Sequence, residues 1–383
     1  MTKYFWKYLI LVILLTGIGP VATQAADAPV QVFQEVLFLI ENYHIEDPAM
    51  EKIMDGAIKG MVETLDPFSE YLSPEEYQEM QVEFEGHFGG IGIVITPDLT
   101  IVSPIKGTPG ERAGLKPGDQ IIAINGESSE EMTQKQAVDI MRGEPGTSVV
   151  LTIKRETEEK PFEVHIIRAL IEIPYVEWEM KNDRIGYIFI AQFVQNVGAK
   201  VERALTELSA NGAEGIILDL RNNPGGLLDE AISVASNFIA RGMVVAVKQK
   251  SGKDSTYNVL PSIKSTRLPL VVLINQGSAS ASEIVAGAIQ DYHRGKLVGM
   301  KTFGKGTVQS VIPLSDGSAL RLTTAKYYTP SDRFIHEMGI EPDIKIEYDP
   351  DYEGDNQLER AIEYLKSARQ SESSPVLEHQ RAS

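Results

Sequence analysis

The chain has 383 residues, of which 43% are hydrophobic and 23% are charged, and its formal net charge is -18. This length suits two or three modules, and the hydrophobic content is typical of a folded protein rather than a disordered one. The acidic balance, without a dense Lys/Arg cluster, argues against nucleic acid as a partner. The absence of cysteine excludes disulfides, thiol catalysis and cysteine-based zinc sites.

The first residues predict a secretory signal peptide, residues 1–25. Lys3 and Lys7 precede an apolar run that ends near Ile18, and small residues follow it up to Ala25. The run is shorter than the roughly 20 residues that a membrane-spanning helix needs, so cleavage is favoured over a retained anchor, which stays the alternative. The sequence therefore predicts an exported protein, in the periplasm or at the extracytoplasmic face of the cell membrane.

Four further regions differ in their hydrophobic pattern. Residues 26–84 carry apolar side chains at helical spacing, which predicts two or three short helices. Residues 85–170 change to short strands separated by Gly/Pro turns, which predicts a compact, mostly β module. Residues 171–350 alternate apolar strands with amphipathic helices, an α/β layout with strands buried on both faces. Residues 351–383 hold one amphipathic helix and a polar tail for which we expect disorder.

A serine-rich turn follows one of the predicted buried strands. Residues 277–283 contain Ser278, Ser280 and Ser282 and lead into a predicted helix. A hydroxyl in this position would face backbone N–H donors and the positive end of the helix, which favour a developing oxyanion. A simple helix N-cap is the structural alternative. The residue pattern alone does not choose among the three serines.

The next loop presents Lys305 between Gly304 and Gly306. A lysine acts as a base near neutral pH only when desolvation lowers its pKa, and flanking glycines allow the close backbone approach that buries it. A lysine of a surface turn is the alternative. Gln309, four residues further on, is placed to orient the amine as the third member of a Ser–Lys system.

A third segment, residues 219–226, lies at the carboxyl end of another predicted buried strand, where open α/β sheets place their ligand sites. Its Pro-Gly-Gly turn exposes backbone N–H groups. Gly225 or Gly226 is therefore a candidate oxyanion donor, together with the N–H of Ala281. A plain strand-to-helix turn is the alternative.

The six histidines offer a weaker route to catalysis. None lies in a spacing typical of a metal site, and no His-Glu-x-x-His helix exists. His293, which follows the predicted helix after Ser282, is the best candidate for a Ser–His pair and is less favoured than Lys305. The sequence predicts neither a metal nor a cofactor.

Together these motifs resemble the C-terminal processing peptidases, also called tail-specific proteases, over roughly residues 30–348. The Ser-Ala-Ser-Ala-Ser-Glu turn, the Thr-Phe-Gly-Lys-Gly loop and the Val-Gln pair that follows it are all present. The resemblance implies that Ser280, the middle serine, is the nucleophile, that Lys305 is the general base and that Gln309 supports it. It also implies a crotonase-like ββα peptidase core.

The β module, in turn, resembles a PDZ domain. Gly89, Gly90, Ile91 and Gly92 match the loop whose successive N–H groups bind a terminal carboxylate while the peptide adds as a β-strand. Arg142 resembles a position that couples substrate capture to alignment of the active site in some relatives. The helical region before the module resembles one that dimerises in some members of the family.

These resemblances imply a multidomain protein of mixed α+β and α/β class, with an N-terminal helical segment, a PDZ-like domain and a peptidase core. They imply an endopeptidase that captures nonpolar C-terminal tails of protein substrates and cleaves them through an acyl-enzyme. An adaptor protein, and a homodimer or higher oligomer formed through the N-terminal helices, are further candidate partners.

Two other functions stay open from the sequence. A PDZ-bearing scaffold with an inactive core is disfavoured because Ser280, Lys305 and Gln309 are all intact. A crotonase-like acyl-transfer enzyme is disfavoured because the sequence carries no signal for a cofactor phosphate.

Overall fold

The computed structural model describes residues 27–181 and 184–373. The predicted signal peptide and the last ten residues of the predicted tail lie outside this part of the chain. The helices are α1 (Asp27–Tyr43), α2 (Met50–Glu63), α3 (Pro74–Glu85), α4 (Pro109–Arg112), α5 (Gln134–Met141), α6 (Val197–Ala210), α7 (Leu228–Ser236), α8 (Ala281–Asp291) and α9 (Asn356–Ser373).

The strands of the described residues begin in the N-terminal region and end shortly before α9. They are β1 (Glu70–Leu72), β2 (His87–Gly90), β3 (Ile93–Ile95), β4 (Ile101–Pro104), β5 (Gln120–Ile124), β6 (Glu127–Ser128), β7 (Ser148–Lys154), β8 (Phe162–Ile167), β9 (Ala169–Glu172), β10 (Val176–Lys181), β11 (Ile185–Ile190), β12 (Gly215–Asp219), β13 (Met243–Gln249), β14 (Ser255–Asn258), β15 (Leu270–Ile274), β16 (Lys296–Gly299), β17 (Thr307–Pro313), β18 (Ala319–Tyr328) and β19 (Ile344–Lys345). The predicted mixed class is confirmed.

The chain divides into two compact units after Tyr71, and the first contains α1 and α2. On α1, Val32, Val36, Leu39 and Tyr43 recur at helical spacing, and each is at least 47% exposed. This helix therefore presents an apolar stripe on its surface. None of the helices in the described ranges has both the length and the apolar character needed to cross a membrane.

Helix α3 opens the second unit. Ser73 before Pro74 predicts an N-cap followed by a first-turn proline, and the helix begins there. The Ser73 hydroxyl accepts a hydrogen bond from the Glu76 N–H at 3.2 Å, and the Glu76 carboxylate accepts one from the Ser73 N–H at 2.8 Å. This reciprocal capping box satisfies two of the N–H groups that a helix start leaves unpaired. The helix ends at Gly86, whose left-handed φ of 72° turns the chain directly into β2.

A mostly β module follows from β2 to β9, as the strand pattern predicts. Strands β6, β5, β7 and β8 form one sheet in that order, and the pairs β2–β9 and β3–β4 lie outside it. The core of the module contains buried side chains from the strands together with Ala137 and Met141 of α5. The short helix α5 is therefore held against the sheet by its own apolar face.

A buried ion pair joins two parts of this module. The carboxylate of Asp119 is fully buried and accepts two hydrogen bonds from the Arg155 guanidinium, at 2.6 and 2.7 Å, and one from the Lys116 N–H at 2.8 Å. Burial alone would raise the pKa of Asp119, but these donors outweigh it and hold the pKa below its ordinary value of 3.8.

Asp119→Asn should weaken this module. Removing one partner of a buried charge pair costs about 3–5 kcal/mol, because the other charge is left without compensation. Since the folded state lowers the pKa of Asp119, its contribution is present at neutral pH and is lost as the pH falls through the folded-state pKa. We expect faster hydrogen exchange in β5 and β7 at pH 7, with a difference from wild type that shrinks on acidification below about pH 4. An unchanged exchange rate, matching that of the exposed control Asp139→Asn, would contradict the expectation.

The rest of the second unit is built on a six-stranded sheet in the order β10-β11-β12-β15-β16-β19. Strand β10 is antiparallel to β11, and the remaining neighbours are parallel. Because the strands are parallel, β12, β15 and β16 all end at the same edge of the sheet. The loops that follow these three strands are the segments that carry the candidate site residues.

Both faces of the sheet are covered. On β15, Val272 and Ile274 belong to the larger core, which also contains side chains of α6, α7 and α8. The alternate residues Val271 and Leu273 pack on the other face with Ala361 of α9. The C-terminal helix, predicted near residues 356–368, extends to Ser373 and completes this second layer. A second sheet joins β17, β18, β13 and β14.

Candidate active site

The segments after β12, β15 and β16 border a single cavity of about 640 Å³. Ser280, Lys305 and Gln309 line it, and so do the three candidate oxyanion residues. The cavity wall is completed by apolar and polar side chains of α3, α7, α8 and β18, among them Tyr77, Met80, Phe84, Leu228, Ile284, Arg321 and Tyr327. The structure thus brings together six residues that the sequence spreads over 85 positions, from 225 to 309.

The three serines of the turn have different surroundings. Ser278 and Ser282 are fully buried, and their hydroxyls donate to the carbonyl oxygens of Leu220 and Asn223, at 2.8 and 2.9 Å. These two side chains fasten the turn to the loop after β12. Ser280 lies between them and borders the cavity. Geometry therefore favours Ser280 as the nucleophile, a choice that the residue pattern left open.

Ser280 has an unusual backbone conformation. Its φ of 53° and ψ of -112° lie outside the regions that non-glycine residues ordinarily adopt. It sits at the junction between the strand β15 and the first turn of α8, where its backbone oxygen accepts hydrogen bonds from the N–H groups of Glu283 and Ile284. Such strain persists only where the surroundings impose it, and it concentrates at functional sites.

One buried carboxylate connects the serine turn to the lysine loop. Glu283 is fully buried, and its Oε2 accepts hydrogen bonds from the N–H of Ser280 at 2.9 Å and from the N–H of Lys305 at 2.8 Å. Its Oε1 accepts from the Thr302 hydroxyl at 2.6 Å and from the Gly304 N–H at 2.8 Å. Burial raises the pKa of Glu283 although these four donors favour the charged form. A single side chain thereby holds the backbones of Ser280 and Lys305 together.

Tyr327 of β18 provides a second connection between the same residues. Its hydroxyl donates to the Ser280 carbonyl oxygen at 3.2 Å and also contacts the carbonyl oxygen of Lys305. Burial, and then the nearby charge of Glu283, raise the pKa of Tyr327 well above its ordinary value. The phenol therefore stays protonated and keeps its role as a donor.

The glycines beside Lys305 are needed because another segment approaches the loop closely. A Cβ built on Gly306 would lie 2.6 Å from the backbone nitrogen of His336, and Gly304 has a left-handed φ of 92°. The Gly304 carbonyl oxygen accepts from the Glu337 N–H at 2.8 Å. This close approach is the one expected from the Gly-Lys-Gly pattern. Lys305 itself is half-buried.

The two alternative glycine donors are distinguished by their hydrogen bonds. The Gly225 N–H donates to the side-chain oxygen of Asn223 at 2.9 Å, whereas among the described residues the N–H groups of Gly226 and Ala281 have no acceptor. Asn223 is fully buried and also donates to the Ile190 carbonyl oxygen at 2.8 Å. Of the three candidate N–H groups, those of Gly226 and Ala281 are therefore available to an incoming acceptor, whereas that of Gly225 is engaged.

Gln309 lies on β17 and faces the same cavity. Its side-chain amide donates to the hydroxyls of Thr307 at 3.0 Å and Thr323 at 3.2 Å. The two threonines fix the orientation of the amide beside the lysine loop. His293, by contrast, follows the C-terminal end of α8 while Ser280 precedes its first turn. Thirteen positions at 1.5 Å each correspond to about 20 Å, so a Ser280–His293 pair is excluded.

The predicted carboxylate-binding loop lies in the β module. Gly89 and Gly90 end β2, and Ile91 and Gly92 connect it to β3. The Arg142 guanidinium, at the end of α5, lies over the Phe88 ring at 4.8 Å from its centroid. Arg142 therefore contacts the strand that leads into this loop.

Sequence reasoning assigned no role to Glu283, Asn223 or Tyr327. A sequence signal for Glu283 exists, because it lies three residues after Ser280, and a Ser-x-x-Glu spacing at a helix start is typical of a capping box. Asn223 and Tyr327 carry none, since their roles depend on the packing of distant segments.

Comparison with known proteins identifies the class of each part. The family model of peptidase family S41 matches residues 184–346, a PDZ domain model matches residues 100–155, and the model described as the activating protease CtpB N-terminal domain matches residues 21–76. The fold is thus that of a PDZ-containing serine peptidase.

Individual relatives narrow this class. A carboxy-terminal-processing protease of Bartonella bacilliformis is 40% identical over 323 residues, which are 82% of this chain and 74% of that protein. The carboxy-terminal processing protease CtpA of Bacillus subtilis is 38% identical over 351 residues, or 89% of this chain and 75% of that protein. Among solved structures, a photosystem II D1 C-terminal processing protease aligns with a TM-score of 0.49 and 29% identity, covering 83% of this chain and 92% of that one.

The chain belongs to the carboxyl-terminal processing proteases of peptidase family S41. The family and the enzyme class that the motifs predict are therefore confirmed.

Glu283→Gln should impair catalysis more than folding. In glutamine an NH₂ group replaces one carboxylate oxygen, so the two donors that now bond to that oxygen would face another donor. Their repulsion would displace either Ser280 and Lys305 or the loop behind them. Displacements of about 1 Å in a catalytic group cost about 100-fold, so we expect kcat to fall by this order with KM little changed. Peptide hydrolysis and thermal unfolding would be measured together. Glu341→Gln, an exposed carboxylate paired with Lys301, is the control and should keep full activity. Equal losses in both variants would contradict the role of Glu283.

Proposed function

We propose that the protein is an exported endopeptidase that recognises C-terminal tails through its PDZ domain and cleaves its substrates with a Ser280–Lys305 system. The observation that carries the catalytic part is the single cavity that Ser280, Lys305 and Gln309 line together with the free N–H groups of Gly226 and Ala281. These are the parts that acyl transfer requires: a nucleophile, a base and donors for an oxyanion.

The reaction follows from this arrangement. The neutral Lys305 amine takes the proton from the Ser280 hydroxyl as its oxygen attacks the carbonyl carbon of the scissile bond. The N–H groups of Gly226 and Ala281, beside the positive end of α8, stabilise the oxyanion. Lys305 then gives the proton to the leaving amine, and an acyl-enzyme remains.

In deacylation, water is the nucleophile and the Ser280 oxygen is the leaving group. Lys305 takes a proton from a water molecule that attacks the ester carbonyl, and returns it to the Ser280 oxygen as the new carboxyl group leaves. Gln309, fixed by its two threonines, positions the lysine loop throughout. The fastened backbones of Ser280 and Lys305 keep nucleophile and base in place through both steps.

Lys305→Ala tests the catalytic part directly. General-base assistance contributes about 10²–10⁴-fold, so we expect kcat to fall at least 100-fold on a denatured protein substrate. Lys301→Ala is a matched control, because Lys301 lies in the same loop, is exposed and pairs with Glu341 at the surface. Activity would be compared at equal thermal stability. Cleavage by Lys305→Ala at the wild-type rate would refute the assignment of the base.

The recognition part of the proposal is supported by the glycine loop between β2 and β3, whose successive N–H groups suit a terminal carboxylate. Nonpolar tails are favoured because Ile93 and Ile95, which follow the loop, and Val138 of α5 are apolar side chains only partly buried against the core. The contact of Arg142 with Phe88 supports a coupling between this groove and the rest of the enzyme. Export is supported by the predicted signal peptide of residues 1–25.

We propose in addition that two copies of the chain associate through α1. Helix α1 carries an exposed apolar stripe of three turns, formed by Val32, Val36, Leu39 and Tyr43. An apolar helix face of this kind is ordinarily buried against another surface. A second copy would supply an identical stripe in a two-fold arrangement.

Replacing two residues of the stripe tests this association. Val36→Glu together with Leu39→Glu places charges in the shared surface, and we expect the mass measured by light scattering to fall from that of a dimer to that of a monomer. Glu41→Gln changes charge on the opposite side of the same helix and should leave the mass unchanged. A monomeric wild-type protein would contradict the association.

A further inference from the structure

Strand β3 of the PDZ domain has an open edge. It pairs with β4 on one side, and among the described residues no strand pairs with its other side. The Gly92 carbonyl oxygen and the Thr96 N–H both bond toward the β4 segment, at 2.9 Å each. Since successive residues of a strand direct their N–H and C=O groups to opposite sides, Ile93 and Ile95 direct theirs toward the open edge.

A side chain of α5 already occupies part of this edge. The Gln134 side-chain amide donates to the Ile95 carbonyl oxygen at 2.9 Å, across 39 positions of sequence. This oxygen is the acceptor that an added strand would use for one of its own N–H groups. The Gln134 amide therefore stands where a backbone N–H of a bound peptide would be.

The contact is not needed to hold α5 in place. The start of the helix is secured by its own capping box, in which the Thr133 N–H donates to the Gln136 side chain at 2.8 Å and the Gln136 N–H donates to the Thr133 hydroxyl at 3.3 Å. Ala137 and Met141 then anchor the helix in the core. Gln134 is thus free to leave the strand without unfolding the helix.

The register of a bound tail defines which group competes with Gln134. With the terminal carboxylate in the glycine loop, an antiparallel peptide pairs its last residue with Ile93. Because paired positions of one edge repeat every two residues, the third residue from the C-terminus then pairs with Ile95. Its N–H and the Gln134 amide require the same carbonyl oxygen.

We propose that Gln134 is a latch that closes the peptide groove of the PDZ domain and must be displaced by the N–H of the third residue from the C-terminus of a bound tail. This inference rests on the proposed tail recognition and adds to it a residue that sets the affinity. The latch weakens binding by the net contribution of one hydrogen bond, which corresponds to about fivefold in Kd.

The test uses the full-length chain carrying Ser280→Ala, so that bound peptide is not cleaved. A fluorescent ten-residue peptide with an apolar C-terminus is titrated in two forms, with a free carboxylate and with an amidated end. Gln134→Met keeps the length of the side chain but cannot donate, so we expect Kd for the free-carboxylate peptide to fall about fivefold, mostly through faster association. Asp139→Ala, on the exposed side of the same helix, should leave Kd unchanged.

A second peptide identifies the competing group. In this peptide an ester oxygen replaces the N–H of the third residue from the C-terminus, so Gln134 and the peptide no longer compete for the Ile95 oxygen. The gain from Gln134→Met should then disappear. A gain that persists would overturn the assignment of the acceptor, and an unchanged or weaker Kd with the unmodified peptide would overturn the latch. Equal binding of the free and amidated peptides by wild type would instead refute the tail recognition itself.

Discussion

The catalytic arrangement depends on the buried carboxylate of Glu283. Its two oxygens accept four hydrogen bonds, one from the serine turn and three from the lysine loop. These two segments follow different strands of the sheet, β15 and β16. A buried charge is expensive unless it is fully hydrogen-bonded, so the site is stable only when both segments are in their places. The same four hydrogen bonds therefore satisfy the buried carboxylate and fix the backbones of Ser280 and Lys305 relative to each other.

The parallel sheet makes this possible. Strands β12, β15 and β16 end side by side, and each contributes one of the segments that meet at the cavity. Ser278 and Ser282 fasten the second segment to the first through carbonyl oxygens, while Glu283 fastens it to the third. The strained backbone of Ser280 is the result of these constraints, which leave its hydroxyl as the one of the three that borders the cavity.

The sequence was sufficient for the parts of the protein that depend on local pattern. Hydrophobic periodicity predicted the mixed class, and Ser73 with Pro74 predicted the start of α3, because a helix start is specified by its first few residues. The catalytic roles that the family motifs assign to Ser280 and Lys305 stay predictions, and the structure places both residues at one cavity. Which of the Gly225 and Gly226 N–H groups is engaged could not be predicted, because it depends on the side chain of Asn223 reaching back to Gly225. The contacts of Tyr327 and Gln134 could not be predicted either, since each side chain bonds to a backbone oxygen that is far away in sequence.

Helix α3 connects the two functional parts of the second unit. Tyr77, Met80 and Phe84 form part of the cavity wall, and the chain passes through the single residue Gly86 into β2, which leads to the carboxylate loop. No spacer separates the two, since Gly86 alone, in the left-handed conformation, joins the helix to the strand. The wall of the cavity beside Ser280 and the strand before the glycine loop are therefore consecutive parts of one chain segment.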